Sequence, residues 1–415
     1  MQVEILTIGD EIITGHIDNT NASYLARQLT ALGLDVKWLT AVGDQASDLR
    51  AALDLALTRA QVVIATGGLG PTHDDITKKV AAEYFNSSFV FVPEILQKIK
   101  AAFEARGRPM PKVNEDQAMV PEKARIIENP VGSAPGFWFE KDGKKCFFLP
   151  GVPAEMKAMC EQTVFPLLKS YGQPRREKII RTIGIPESTL FEQIDNFKNL
   201  ERLVKIAFLP RSGGVDIRLI ATAENEEECE RKLNQAVQYL QQKFSKNIYG
   251  YDEQELEDVV AQLLFQLKKT VAVAESCTGG LLAHKLTNIS GSSDYFERGV
   301  VSYSNQAKMD ILGVRAETLQ KFGAVSEQTA VEMAQGVRKI SRTDFGLSTT
   351  GIAGPTGGTP EKPVGLVYVG FADAHGAYAK RYHFFKDRLL NKNRAVMAAL
   401  NILRKELLKL RHNTD

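Results

Sequence analysis

The chain has 415 residues, 44% of them hydrophobic and 25% charged, which leaves room for two or three domains with cores of their own. Its net charge of +2 creates no field that would by itself recruit nucleic acid or an anionic membrane. Four scattered cysteines and six scattered histidines, with no CxxC or HExxH spacing, argue against a disulfide framework and against a Cys/His zinc site.

The opening stretch MQVEILTIGDE has no basic n-region, and its apolar run is strand-length. No run approaches the ~20 apolar residues of a membrane helix. The expectation is a cytoplasmic chain. VEILTI reads as a strand, Asp18-Asn19-Thr20-Asn21 as caps for a helix running to Gly33, and LDVKWLTAV as the next strand. ASDLRAALDLALTRA has helical spacing. QVVIATGG is a third strand, β-branched and uncharged, as when both faces are covered. This β-α-β-α-β order predicts a parallel, doubly wound sheet. Residues 136–149 read as a hairpin around Asp142-Gly143, followed by a helix with Pro153 near its first turn.

Three of these strands run into acid: Gly9-Asp10-Glu11, Gly43-Asp44 and, past GGLGPTH, Asp74-Asp75. Ligands of open α/β sheets bind beyond the carboxyl ends of the strands. The acids would gather there beside Gly67, Gly68, Leu69, Gly70 and Thr72, whose backbone N–H groups suit phosphate. Carboxylates beside a phosphate repel it unless a hard divalent cation intervenes, so the set predicts metal-assisted chemistry on a phosphate ligand. Asp44 and Asp75 also read as ordinary helix caps. The motifs TIGDEIITGHIDNTNASYLARQL, GGLGPTHDDITKKV and LPGVPAEM resemble the N-terminal, MoaB/MogA-like domain of the CinA family. The resemblance implies ADP-ribose pyrophosphatase activity with Mg²⁺, Mn²⁺ or Co²⁺. It further implies metal roles for Asp10, Glu11, Asp44 and Asp75, and substrate roles for Gly67, Gly68, Gly70 and Thr72. The same loop serves pterin binding, so a molybdopterin site remains the alternative.

Residues 173–250 read as a small α+β unit with three strands and two helices, the second strongly acidic at its start. It has no GxxG loop, no aromatic run on a strand and no basic stripe. The unit resembles the KH-like insert of full-length CinA proteins, and nucleic acid is not an expected partner.

From residue 251 a second α/β domain begins. After the strand TVAVAE comes AESCTGG, with a helix expected to begin near Cys277. Ser276 is either that helix's N-cap or a nucleophile. Gly279 and Gly280 in the first turn would cost about 1 kcal/mol each against alanine. In return they would let a ligand reach N–H groups able to hold an oxyanion. His284 lies roughly 12 Å up the helix, too far to be the base. VSYSNQAK instead groups Tyr303, Ser304, Asn305 and Lys308. A Ser–Lys pair needs a neutral lysine, and lowering its pKa from about 10.4 to about 7–8 costs roughly 4 kcal/mol. Taken alone, Lys308 reads as a solvated lysine at a helix start. LSTTGIAGPTGG ends a buried strand at Thr349-Thr350 and opens into a loop holding Gly351, Gly354, Gly357 and Gly358, suited to phosphate or ribose, and Arg388 or Arg394 are the candidate phosphate partners.

AESCTGG, GSSDYFERGVVSYSNQAKMDILGV, GAVSEQTA and TTGIAGPTGG look like the C-terminal domain of the CinA family, of the PncC nicotinamide mononucleotide deamidase type. What this implies is a Ser276 nucleophile, a Lys308 base, a Tyr303 helper, Thr350 as a substrate or oxyanion contact, and an Arg388 phosphate contact. Gly279, Gly280 and Gly351 would line the substrate. The expectation as a whole is two doubly wound α/β domains, at 1–172 and 251–415, joined by a KH-like unit at 173–250. The chain would be a homodimeric hydrolase deamidating nicotinamide mononucleotide (NMN) and splitting ADP-ribose. A competence-related protein that only binds is the competing class.

Overall fold

The computed structural model describes residues 1–415 apart from 73–74, 105–106, 386, 413–415 and the side chain of His412. The expected acid Asp74 therefore lies outside the described residues. The chain divides into two compact units, Met1–Arg176 with Ala221–Arg231, and Glu177–Ile220 with Lys232–Asp415.

The first unit is built on a six-stranded sheet in the order Asp35–Val42, Gln2–Ile8, Val62–Thr66, Lys144–Leu149, Gly136–Lys141, Arg125–Ile127. The first four strands are parallel, and the last two are each added by an antiparallel pairing to the strand before. Every residue of Val62–Thr66 is buried, whereas the edge strand Asp35–Val42 alternates between half-buried and exposed. One face packs Ile5, Leu25, Leu29, Ile64 and Phe147 together; the other packs Leu6, Leu49, Leu53, Val63 and Phe148. A sheet covered on both faces is the doubly wound arrangement its strand order predicts. Asn19 caps the helix Thr20–Ala31 by accepting the Ala22 N–H at 3.0 Å. Asp142 and Gly143 turn the hairpin with φ of 54° and 75°, the conformation an Asp-Gly turn supplies at little steric cost.

The helix that opens at Pro153 runs on to Lys169 through one π turn, Cys160–Val164, just ahead of Pro166, which has no N–H to give an α-helical ladder. Between residues 86 and 135, which the sequence reading left unassigned, the chain forms the amphipathic helix Pro93–Glu104, a 3₁₀ turn and three strands of three residues each.

The second unit holds two sheets. In the smaller, strand Lys205–Pro210 pairs antiparallel with Val215–Thr222, and Ile248–Tyr251 pairs antiparallel with Arg175–Thr182. The larger has five strands in the order Phe296–Val301, Val271–Glu275, Phe345–Gly351, Leu366–Ala372, Ala377–His383. Its first three strands are parallel, and its last two are each added by an antiparallel pairing to the strand before. Leu264, Val273, Leu347 and Leu403 fill one face of this sheet, while Ala274, Leu312, Met333 and Val337 fill the other. The helices Leu256–Leu267 and Glu327–Ser341 start where side chains take their first amides, by a Glu255/Asp258 capping box and by Ser326.

One expected boundary moves. The helix after AESCTGG begins at Leu281, not near Cys277. Gly279 and Gly280 take φ of 60° and 93°, left-handed values that an α-helix cannot hold. The two glycines belong to the turn before the helix.

Candidate active sites

Val271–Glu275 is the middle strand of the three parallel ones, with Glu275 in register between Val301 and Thr349. Ser276 leaves the sheet at its carboxyl edge, where ligands of open α/β sheets bind. Its N–H donates to the Thr349 carbonyl at 2.9 Å, and the residue is 9% exposed. Ser276 is not the cap of the next helix. That work is done by Glu275, which is fully buried. Its carboxylate accepts from the Thr278 hydroxyl at 2.6 Å, from the Gly280 and Leu282 N–H groups at 3.0 Å each and from the Ala283 N–H at 2.8 Å. The negative charge sits at the positive end of the helix, which stabilises both. The Gly280 amide is therefore engaged, and its reading as an oxyanion donor needs correction: a buried carboxylate already occupies the anion site at this helix start. The sequence reading passed over Glu275, although a charged residue ending a buried strand is a signal for it.

Lys308 lies in the first turns of the helix Asn305–Leu312, whose N-cap Ser304 accepts the Ala307 N–H at 3.0 Å. Its side chain is folded inward and is 1% exposed. Nζ lies 3.1 Å from Ser276 Oγ, 2.8 Å from the Ser302 carbonyl and 3.1 Å from the Tyr303 carbonyl. Burial pushes its pKa below the ordinary lysine value, against the pull of the Cys277 thiol. A neutral amine fits these contacts: two N–H groups donate to the carbonyls, and the lone pair accepts the serine hydroxyl proton. Cys277, next to Ser276, is no rival nucleophile, since burial pushes its thiol up to about 12.

Around this pair the expected residues take distinct positions. The Tyr303 ring is 64% exposed, so it contributes its carbonyl rather than its phenol to Lys308. Arg388 donates to the Gly354 carbonyl at 2.8 Å and approaches the Tyr303 hydroxyl at 3.4 Å. Arg394 turns away, donating to the Ser212 carbonyl at 3.1 Å and stacking over Phe385 at 4.3 Å. Thr350 is buried, and its hydroxyl donates to the Ala324 carbonyl at 2.7 Å. Gly351 has a packing reason: a Cβ there would sit 2.7 Å from the Leu366 carbonyl oxygen. Lys392, one turn beyond Arg388 in the helix Arg388–His412, was missed in the sequence. Its Nζ lies 3.7 Å from where a Cβ on Gly279 would be. The i, i+4 spacing of the two cations was the available signal.

In the first unit the carboxyl ends of the parallel strands border a cavity of about 420 Å³. Gly67, Gly68, Gly70, Thr72, Glu11, Asp44 and Asp75 all line it, and so do Gln117, Ser133 and Glu155, which the sequence reading did not select. Gly67 takes φ of 113°, and a Cβ there would lie 2.0 Å from the Ile8 carbonyl oxygen, so the loop is held directly against the neighbouring strand end. The Gly67 N–H donates to the Leu149 carbonyl at 3.0 Å, which leaves the stretch from Gly68 onward to face a ligand. Asp75 accepts the Thr72 N–H at 2.8 Å and its hydroxyl at 2.5 Å. Asp10 and Asp44 accept each other's backbone N–H at 3.2 Å and 3.0 Å, and Asp10 is not among the cavity's lining. Glu155 accepts from Asn129 Nδ2 at 2.6 Å.

Among the described residues no three His, Cys, Asp or Glu side chains converge as a metal cage. The donor set fits a different mode, in which Mg²⁺ is held by one or two carboxylates, waters and the substrate's own phosphates.

Three family models match the chain: "Probable molybdopterin binding domain" over residues 4–170, "Damage-inducible protein CinA KH domain" over 177–250 and "CinA C-terminal domain" over 253–407. A competence-damage inducible protein of Caldicellulosiruptor saccharolyticus is 44% identical over 409 residues, covering 98% of this chain and 100% of that protein. One of Thermoanaerobacter pseudethanolicus is 44% identical over 412 residues, covering 99% and 100%. Among solved structures, the competence/damage inducible protein CihA of Agrobacterium tumefaciens is 44% identical, covering 37% of this chain and 93% of its own, with a TM-score of 0.36. With two full-length relatives at this identity and all three family models falling in order along it, the chain belongs to the CinA family.

Proposed function

We propose that the C-terminal domain is a Ser–Lys amidase that hydrolyses the carboxamide of nicotinamide mononucleotide to the carboxylate and ammonia. The observation that carries this reading is the buried Lys308 amine 3.1 Å from Ser276 Oγ. Lys308 Nζ takes the hydroxyl proton as Ser276 Oγ attacks the carboxamide carbon. The exposed Gly279 amide, ahead of the helix, is the candidate oxyanion donor. Lys308 then returns the proton to the leaving nitrogen, the C–N bond breaks and ammonia departs. Water, giving its proton to the same amine, hydrolyses the acyl-enzyme and restores Ser276. Arg388 and Lys392 are the groups to hold the substrate phosphate, set off from Lys308 so that the phosphate's charge does not raise its pKa. The test is ammonia release from NMN by the wild type and by Ser276→Ala in the presence of EDTA; full activity in the variant removes the nucleophile from this account.

For the N-terminal cavity we propose hydrolysis of ADP-ribose to AMP and ribose 5-phosphate. Support comes from the glycine loop opposite Glu11, Asp44 and Asp75 in one cavity. A divalent cation bound there with the phosphates would offset the carboxylates' charge and polarise the bond to be cut, with Glu11 and Asp75 the residues to hold it. The chain's own groups bind the phosphates through the Gly68–Gly70 backbone and orient a water through a carboxylate. The match to a molybdopterin-binding family model favours a second reading of this domain, a pterin site, for which copurifying molybdopterin is the test. We place the protein, on this proposal, in the cytoplasm as a homodimer; among the described residues no helix is long and apolar enough to cross a membrane.

A further inference from the structure

The helix Arg388–His412 carries an asparagine, Asn391, in its first turn. Asn391 is 1% exposed. Asparagine is a poor helix former, and a buried amide is costly unless its polar groups are bonded. The helix start is already capped without it, since the Asp387 carboxylate accepts the Leu390 N–H at 2.7 Å. The Asn391 side chain bonds instead to backbone outside the helix. Oδ1 accepts the Phe385 N–H at 3.1 Å, and Nδ2 donates to the Phe385 carbonyl at 2.7 Å and to the Ala353 carbonyl at 3.0 Å. Both amide hydrogens are used and the oxygen faces a donor, so the amide has one workable orientation.

The atoms it holds belong to one backbone network beside the Ser276–Lys308 pair. The Phe384 N–H donates to the Gly365 carbonyl and the Gly365 N–H to the Ile352 carbonyl, at 2.8 Å each. Ile352 and Ala353 follow directly on the strand Phe345–Gly351, whose Thr349 carbonyl takes the Ser276 N–H. Arg388 lies three residues before Asn391, on the same helix face. Its guanidinium donates to the carbonyl of Gly354, the residue after Ala353, at 2.8 Å and reaches the Tyr303 hydroxyl at 3.4 Å. One helical turn thus grips two successive carbonyls of the loop, so where Arg388 points depends on how the helix start is fixed to that loop. The contacts of Ser276 and Lys308 do not run through Asn391; they go to Thr349, Ser302 and Tyr303.

We propose that Asn391 is a positioning residue of the amidase site: by pinning Phe385 and Ala353 to the helix, it aims the Arg388 guanidinium at the phosphate of the substrate. The role rests on the amidase reading and adds to it a residue that touches neither the substrate nor the reacting atoms. Its loss weakens substrate binding and spares the chemistry. A side chain that only stabilised the turn would, on removal, lower the melting temperature and leave KM alone.

Ammonia release from NMN by the full chain tests it, with the melting temperature read on each variant. Asn391→Leu, close in volume but without hydrogen bonds, should raise KM by about 3- to 10-fold and change kcat by less than about 2-fold. In an Arg388→Ala background the same substitution should raise KM by no more than about 2-fold, because the arginine it positions is gone. Tyr378→Phe is the structural control. It removes a hydroxyl that donates to Glu406 at 2.9 Å, about 22 Å further along the same helix, and should lower the melting temperature with KM unchanged. If Asn391→Leu does not fold, Asn391→Ser, which admits water to the freed backbone atoms, carries the same expectation. A KM shift that is just as large in the Arg388→Ala background, or a fall in kcat as large as the rise in KM, overturns the role. Wild type that releases no ammonia from NMN overturns the amidase reading and this role together; ammonia release with an unmoved KM in the Asn391 variant overturns the role alone.

Discussion

The two α/β domains put carboxylates at the same place, the carboxyl ends of their parallel strands, and use them in opposite ways. In the N-terminal domain Glu11, Asp44 and Asp75 line an open cavity beside a glycine loop. In the C-terminal domain the strand-end acid, Glu275, is fully buried and its oxygens accept four donors from the following turn and helix. The first arrangement sets carboxylates and loop backbone around open space, with Asp44 and Asp75 also accepting from neighbouring backbone. The second uses up the helix's anion site internally and so fixes the turn from which Ser276 projects. Both acids stand at strand ends, but burial separates them: one set borders an open cavity, the other braces the turn that carries Ser276.

The strongest attempt to break this contrast is Ser276→Ala, expected to cut NMN deamidation by at least about 10³-fold while ADP-ribose hydrolysis stays at its wild-type rate. Lys308→Met should match that loss in the same ammonia assay. For the wild type, kcat/KM for ammonia release should rise with pH, because the base works only when deprotonated. Burial lowers the Lys308 pKa, so the rising limb should lie below the ordinary lysine value of about 10.4. A limb at or above that value would break the neutral-amine account. Gly67→Ala forces the loop away from the Ile8 carbonyl, and a displacement of this kind costs about 10²-fold. ADP-ribose hydrolysis should fall accordingly and ammonia release should not change. Glu275→Gln turns an acceptor into a donor facing N–H groups. It should cost about 1–3 kcal/mol of stability in denaturant titration and lower kcat for deamidation with little change in KM; an unchanged kcat would show that Ser276 does not need its brace. The smallest effect separates two arginines. Arg388→Ala should raise the KM for NMN by about 10-fold, and Arg394→Ala by no more than about 2-fold, because Arg394 is held by Ser212 and Phe385.

Much of this was legible in the chain because it depends on local periodicity. Uncharged β-branched runs gave the buried central strands, and Asn19, Asp142-Gly143 and Pro153 marked their cap, turn and helix start. Acids at three strand ends beside the GGLG loop flagged the first site, and Ser276 followed by Gly279 and Gly280 flagged the second. In the stretch from 86 to 135 the short strands stayed opaque, since three residues carry no period and are held by pairing with other segments, whereas the helix Pro93–Glu104 has a helical period that the sequence reading passed over. The sequence also misplaced the helix after Ser276, because a glycine pair reads alike inside a first turn and in left-handed backbone before it.

The linear order of residues thus determined the two α/β domains, the loops at their strand ends and the short set of side chains able to do chemistry there. Only the tertiary structure decided which atoms meet: that Lys308 turns inward to Ser276, that Glu275 closes the helix start, that Arg388 rather than Arg394 faces Tyr303, and that Glu155 joins the N-terminal cavity. The reason is physical. Capping and patterning act over a few residues, and the Glu275 brace is of that kind, whereas the Lys308, Arg388 and Arg394 contacts join positions 32 to 182 residues apart and depend on which side chains lose their water.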